Sequence, residues 1–299
     1  MKRIGSILGV IAILAGTMCL AGCSKPRQGA GKTYTFKLNY PAGQYEVDFG
    51  GTVKQDIDSP DEGDSATATV VDTTIQMDVP RHRPAANYTI SMKFVQNNMK
   101  QMQDGKVVFD SDELGAEGEE IFKDMPKLYM KLDAEGTILR TGMGKWPGAT
   151  RLSPAHAAEF DLMVKQLRGS WEKTVRGIPS VKPLLPTEPV TLDDSWDVSM
   201  EKVQGVGTGT ATLYEVVSTP EGDIATIKFS GAANEFPAPE GMEISGELIS
   251  EGFVRVYVDT GVVEEYECTV SSELEITTQG KTAEVEIDSI IKMTMKKVK

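Results

Sequence analysis

The sequence predicts a mainly β protein: a long, curved antiparallel sheet, a pair of such sheets or a half-barrel, in two halves with one central amphipathic helix. Three observations predict it. Apolar and polar residues alternate with a period of two over most of the chain, turn dipeptides separate the alternating runs, and a single segment has helical spacing. With 299 residues, 40% apolar and 25% charged, the chain is long enough to bury a core.

The amino terminus has the three parts of an export signal. Lys2 and Arg3 come first, an uncharged stretch from Ile4 to Met18 follows, and small residues precede Cys23. A plain membrane anchor is the alternative, since residues 4–22 carry no charge, although several glycines make this a weak span. Residues 1–22 are therefore interpreted as a signal segment.

The run Leu20-Ala21-Gly22-Cys23 resembles the lipobox of bacterial lipoproteins. The resemblance implies cleavage before Cys23 and attachment of lipid to its sulfur. Ser24 follows, so the Asp that favours inner-membrane retention in that family is missing, and the outer membrane, facing the periplasm or the cell surface, is the expected destination. Residues 23–32 then form a lipidated, flexible tether.

Charge narrows the class of partner. The formal net charge is −13, and removal of residues 1–22 takes away two basic residues and no acidic ones, which gives −15. Such a chain lacks the basic stripe that nucleic-acid binding needs. It is also expected to repel anionic lipid heads, so that attachment comes from the lipid and not from basic patches.

The first β half covers residues 33–150. Alternating runs predict strands at 34–40, 45–49, 71–79 and 88–94, and Asp104-Gly105 and Glu135-Gly136 mark hairpin turns. Methionines such as Met92, Met99 and Met102, together with Met293 and Met295 near the end of the chain, suit either core packing or an adaptable apolar lining.

Residues 151–182 break the β rhythm. Ser153 is a helix N-cap, Pro154 occupies the first helical position, and an apolar stripe continues to Ile178 at spacings of three and four. A stripe this narrow needs a sheet to cover it. Phe160, Leu167 and Trp171 are therefore candidates to line an apolar cavity between helix and sheet.

The second β half covers residues 183–299. A proline-rich connector at 183–189 leads to Asp193-Asp194-Ser195-Trp196, which is interpreted as a strand entry, and to two long runs at 266–276 and 285–295. Each run extends about 35 to 40 Å, too long for a small sandwich and typical of a large curved sheet or incomplete barrel. The hairpins at 128–143 and 254–270 look alike, which leaves duplication and chance similarity as open alternatives.

Taken together, the lipobox, the alternating halves, the middle helix and the segments 108–112 and 185–196 resemble an uncharacterised family of exported bacterial lipoproteins of about 300 residues. The resemblance implies location and brings no catalytic residue. Long strands curved around a helix also look like periplasmic lipoprotein carriers that hold acyl chains, an analogy of architecture alone.

Chemistry-bearing residues are few. Cys19 leaves with the signal, Cys23 is consumed by lipid, and Cys268 lies on the apolar side of an alternating run, which predicts a buried, inert thiol. His82 and His156 have no second ligand near them. The acidic stretch 56–64 lacks calcium-loop spacing, and Asp193 and Asp194 would point to opposite faces of a strand. No catalytic, metal or cofactor site is predicted.

These observations favour a non-catalytic, membrane-anchored binding or scaffold protein for an apolar ligand or an envelope protein. The alternative is an envelope hydrolase whose carboxylates are brought together by the fold, with at least one raised carboxyl pKa.

Overall fold

A computed structural model describes residues 31–59, 63–83, 86–110, 127–134, 136–144, 181–199, 207–236, 238, 241–278 and 280–299. These ranges contain twelve strands: β1 Gly43–Asp58, β2 Ser65–Val79, β3 Tyr88–Gln103, β4 Lys106–Asp110, β5 Leu128–Leu132, β6 Ile138–Met143, β7 Ser195–Ser199, β8 Thr208–Thr219, β9 Gly222–Ala233, β10 Met242–Tyr257, β11 Val263–Thr278 and β12 Lys281–Lys297. The mainly β prediction is confirmed.

Within the same ranges the helical structure is limited to a 3₁₀ turn at Lys182–Leu184. The helix predicted from Ser153 lies outside the described residues, as do Cys23, His156 and the lining candidates Phe160, Leu167 and Trp171. In the described part of the chain, no helix has the length and apolar character needed to cross a membrane.

The strands form one antiparallel sheet in the order β6-β5-β3-β2-β1-β12-β11-β10-β9-β8-β7, with β4 added beside the last residues of β3. Each half of the chain contributes a meander of neighbouring strands. The two meanders join where β1 pairs with β12 over fourteen positions, from Tyr45↔Lys297 to Asp58↔Glu284. The two predicted halves are therefore parts of a single sheet.

The long strands at the centre confirm the length prediction. β11 has 16 residues and β12 has 17, and β1, β3 and β10 have 16 each. At about 3.3 Å per residue these strands extend roughly 50 Å. Directly opposed residues share a face, so a continuous inner face runs through Phe49, Met293, Tyr266 and Val254, and the intervening residues form an outer face.

The sheet curls strongly although β6 and β7 are not paired to each other. Lys182 Nζ donates to Thr137 Oγ1 (2.6 Å) beside β6, and the Leu184 carbonyl accepts from Trp196 Nε1 (3.1 Å) on β7. Three consecutive residues thus reach both edges, which a flat sheet of this width would hold about 50 Å apart. The described residues therefore form one unclosed, curved sheet, as expected from the prediction of a long, curved antiparallel sheet.

Residues 34–40 correct one strand prediction. They are extended but form only an isolated bridge, Tyr34↔Val190, and two backbone hydrogen bonds to the turn after β10. Tyr34, Leu38 and Tyr40 are buried, because the segment crosses the inner face and presents alternate side chains to it. Burial on one side produces the same period of two as a strand does.

Residues 181–192 correct a second interpretation, that of a simple extended connector. The segment begins with the 3₁₀ turn, and Val181, Leu184, Leu185 and Val190 are buried in the core. We call 34–40 and 181–192 the plug. The turns after β2, β5, β8 and β10 lie at the plugged end of the sheet, and those after β1, β3, β9 and β11 lie at the far end.

Candidate functional site

The inner face at the plugged end is a solid core. Ile227 on β9, Val254 on β10 and Met293 on β12 are almost fully buried, and they belong to one cluster with Leu38 and Leu184 of the plug. Met92 and Met295 join the same cluster, whereas Met99 and Met102 are half-buried on β3. Core packing is therefore the role of three of the five methionines.

The inner face stays apolar toward the far end, beyond this cluster. Seven aliphatic side chains share the face, and we call them the far patch: Ile57, Ile244, Leu248, Leu274, Ile276, Val285 and Ile287. Val285 is buried and the other six are half-buried, and none belongs to the core cluster that contains the plug. The far patch is thus an apolar surface that the described plug does not fill.

Three serines lie on the inner face where the core meets the far patch. Ser250 and Ser289 flank Val270 on the neighbouring strands, and Ser272 is two residues further along β11. All three are buried; Ser250 is 0% exposed, and its Oγ has no hydrogen-bond partner in the described part of the chain. Leaving a buried hydroxyl without a hydrogen-bond partner costs about 1–3 kcal/mol of stability. A ligand atom that forms a hydrogen bond with the Ser250 hydroxyl would therefore be favoured.

Cys268 lies in the same region of β11, and its predicted burial is confirmed. The side chain is 2% exposed, and the Sγ–Thr269 carbonyl oxygen distance is 3.8 Å. Burial raises the pKa of the thiol, only partly opposed by a hydrogen bond with Tyr266. The thiol is therefore held in its unreactive protonated form.

Three buried tyrosines and a histidine meet at the plugged end, a cluster absent from the sequence-based site residues. Burial raises the pKa of Tyr40, Tyr45 and Tyr88, that of Tyr45 to about 12. Tyr45 donates to the Pro41 carbonyl (2.8 Å), and His82 stacks on Tyr88 with ring centroids 4.0 Å apart. The alternation around each tyrosine predicts its burial, but nothing in the local sequence brings the rings together.

The outer face is strongly acidic toward the far end. Asp56, Glu286, Glu273 and Glu247 are directly opposed on four successive strands, and all four are exposed. We call this row of four opposed carboxylates the acidic ladder. In the ranges that the structure describes, no group of three His, Cys, Asp or Glu has a metal-binding arrangement.

The carboxylates of the described residues provide no observation in favour of the hydrolase alternative. No Asp or Glu among the described residues is buried. Asp223 has a lowered pKa, because it accepts hydrogen bonds from Lys32 and Ser218, and a lowered pKa is the opposite of what a general acid needs.

Asp193 and Asp194 lie in the turn before β7 and not on a strand. Asp193 has φ +69°, and Asp194 Oδ2 accepts from the Thr191 backbone N–H (2.7 Å) and hydroxyl (3.0 Å). The pair therefore shapes a turn, and Trp196 packs at the strand entry as expected.

Comparison with known proteins finds no matching family and no matching curated sequence. Among solved structures, one of lipid–protein interactions in lipovitellin has 9% identity and a TM-score of 0.48, and the match covers 87% of this chain and 26% of that one. This chain thus spans about a quarter of the lipovitellin chain. DynF, from the dynemicin biosynthesis pathway of Micromonospora chersina, has 8% identity and a TM-score of 0.19, with coverages of 93% and 92%. Neither likeness bears on what this chain binds.

Proposed function

We propose that this chain is an exported, non-catalytic binding protein, held to a membrane by lipid on Cys23, whose inner sheet face takes an apolar ligand. The anchoring rests on the lipobox resemblance of residues 20–23. Two acyl chains give stable attachment where one gives only marginal binding, so the protein would act at the membrane surface.

The partly exposed apolar surface of the far patch is the observation that supports binding of an apolar ligand. Its members continue the inner face of β1, β10, β11 and β12 beyond the core cluster that contains the plug, and six of the seven are only half-buried. Transfer of such surface from water contributes about 25 cal/mol per Å². An acyl chain or similar apolar molecule matches this surface, and the Ser250 hydroxyl offers one polar bond beside it.

Binding is tested on acylated protein purified from membranes. Native mass spectrometry would detect a co-purified lipid, and titration with a fluorescent long-chain fatty acid would measure the site directly. Ile287→Glu places a charge in the far patch and should weaken binding at least about tenfold, since desolvating an unpaired carboxylate costs well above 1.4 kcal/mol.

Ile290→Glu is the matched control. Ile290 lies on the same strand three residues away, but on the outer face and 44% exposed, so this variant should bind as the wild type does. Equal loss in both variants, or no lipid and no fatty-acid binding by the wild type, would contradict the ligand.

The anchor has its own test. Cys23→Ser should shift the protein from the membrane to the soluble fraction, and mass spectrometry of the wild-type amino-terminal peptide should show acylated Cys23. An unmodified cysteine in membrane-bound protein would overturn the lipoprotein assignment.

A further inference from the structure

We infer that the plugged end of the sheet docks on anionic phospholipid headgroups through a basic corner, defined as Arg81, Arg83, Lys296, Lys297 and Lys299. The inference rests on the proposed anchoring through Cys23 and adds an orientation to it.

The register brings two basic segments to the same place. At the start of β1, Gly43 is opposite Val79, which precedes Arg81 by two residues, and the Gln44 backbone N–H donates to the Lys299 carbonyl (2.9 Å). The loop after β2 and the end of β12 therefore flank one strand, about 10 Å apart.

The cations of the basic corner are exposed and unneutralised. None has a carboxylate oxygen within 4 Å in the described part of the chain, and Lys297 lies 5.9 Å from the Tyr45 ring centroid. The nearest acids by register are Glu46, opposite Lys296, and Asp78, which accepts from Gln44 Nε2. Some cations elsewhere are paired with acids, as in Lys32–Asp223 (2.7 Å) and Lys292–Glu267 (2.8 Å).

Charge is therefore segregated along β12. The basic corner lies at the plugged end, while the acidic ladder, which includes Glu286 of β12, lies toward the far end. An anionic membrane attracts the first and repels the second, so both ends favour the same orientation. Docking through the basic corner differs from the expectation that attachment comes from the lipid and not from basic patches, which is based on the total charge of −15 alone.

The tether leaves the body at the same end. Lys32 pairs with Asp223 at the start of β9, and the eight residue steps from Cys23 to Gly31 span at most about 29 Å. The tether sequence adds Lys25 and Arg27 and no acidic residue. Val298, 50% exposed between two lysines of the basic corner, supplies an apolar side chain for the headgroup boundary.

Energy transfer in the full acylated chain tests the orientation. Asn87→Cys at the plugged end or Thr278→Cys at the far end, both at exposed positions, would carry the fluorescent donor. The label should attach there alone, because Cys23 is acylated under the proposal and Cys268 is buried. Acceptors sit on lipid headgroups of phosphatidylcholine vesicles, with or without about a third phosphatidylglycerol. Transfer from position 87 should rise with anionic lipid and fall again in high salt, and transfer from 278 should not rise.

A quadruple variant, R81Q/R83Q/K297Q/K299Q, should lose this rise, with the docked-to-undocked ratio falling up to about fivefold for each cation removed. The variant K54Q/K100Q/K106Q/K281Q removes the same charge at the far end and should keep the rise in energy transfer from position 87. Protein that floats with vesicles but shows no dependence on anionic lipid overturns the docking alone. Wild-type protein that does not float overturns the anchoring.

Discussion

Burial of Cys268 makes a direct prediction about thiol chemistry. Because Sγ is buried and its pKa is raised, a thiol reagent should modify Cys268 only as fast as the protein opens, and quickly once denaturant unfolds it. Ellman's reagent measures both rates. Ser271→Cys, exposed on the outer face of the same strand, is the control that should react at once. Rapid modification of native Cys268 would contradict its burial.

The tyrosine cluster predicts loss of stability in alkali. Below about pH 10 the phenols are protonated in both folded and unfolded chains, so their contribution is fully present. As pH rises further, the unfolded chain ionises first and stability falls, until folded Tyr45 ionises near its pKa of about 12. Urea midpoints between pH 9 and about 12 measure this decline, and Tyr45→Phe should make it shallower. A decline in stability that begins well below pH 10 would contradict the assignment to the tyrosines.

Between neighbouring strands, the acidic ladder predicts a stabilising substitution. Glu286 lies between Asp56 and Glu273, and like charges directly opposed are destabilising by about 0.2–1 kcal/mol. Glu286→Gln should therefore raise the unfolding midpoint, and added salt should reduce the gain. Glu251→Gln removes the same charge between Ser230 and Thr269 and should change little. Equal rises in the unfolding midpoint for both variants would indicate that total net charge, and not the opposed carboxylates, causes the effect.

Where the plug meets a tight turn, Gly136→Ala should be strongly destabilising. Gly136 has φ +76°, and a Cβ there would overlap the Leu38 side chain. Gly280 also has φ +76° but open space around it, so Gly280→Ala isolates the conformational cost, about 1 kcal/mol. Thermal unfolding should show a larger loss for Gly136→Ala, partly restored by adding Leu38→Ala. No difference between the two alanines would contradict the close packing.

Sequence patterns predict the elements of this fold better than their partners. The period of two identifies the long strands and the inward side of Cys268, because alternation reflects burial directly. The same period gives a false strand at 34–40, where one-sided burial occurs without pairing. The far patch is visible as continued alternation at 274–276 and 285–287, but only the register shows that these residues share a face with Ile57.

Across the whole molecule, the uneven core predicts uneven protection along single strands. The plugged halves of β1 and β12 carry Val47 and Met293 in the core cluster, whereas their far halves carry Ile57 and Ile287 outside it. Hydrogen exchange followed by mass spectrometry should show slower exchange at 44–50 than at 53–58. Equal protection would mean that the far patch is packed as firmly as the core.

At this scale the sequence predicts the class of architecture but not the strand order or the charge layout. Net charge is a sum, so it conceals the distance between the basic corner and the acidic ladder. The pairing of β1 with β12 depends on residues at opposite ends of the chain, and no local pattern encodes it. Hairpin turns, by contrast, are set by neighbouring residues, which is why those at Asp104-Gly105 and Glu135-Gly136 are predicted.

The β1–β12 seam also governs the order of folding events. Its partners lie up to about 250 positions apart in sequence, so closing it carries the loop-closure entropy of nearly the whole chain. Each meander can form from near neighbours, but β1 and β12 expose unpaired edges until the seam closes. A chain that is synthesised from its amino terminus would contain β1 long before β12, and its slowest folding step would be the pairing of these two strands.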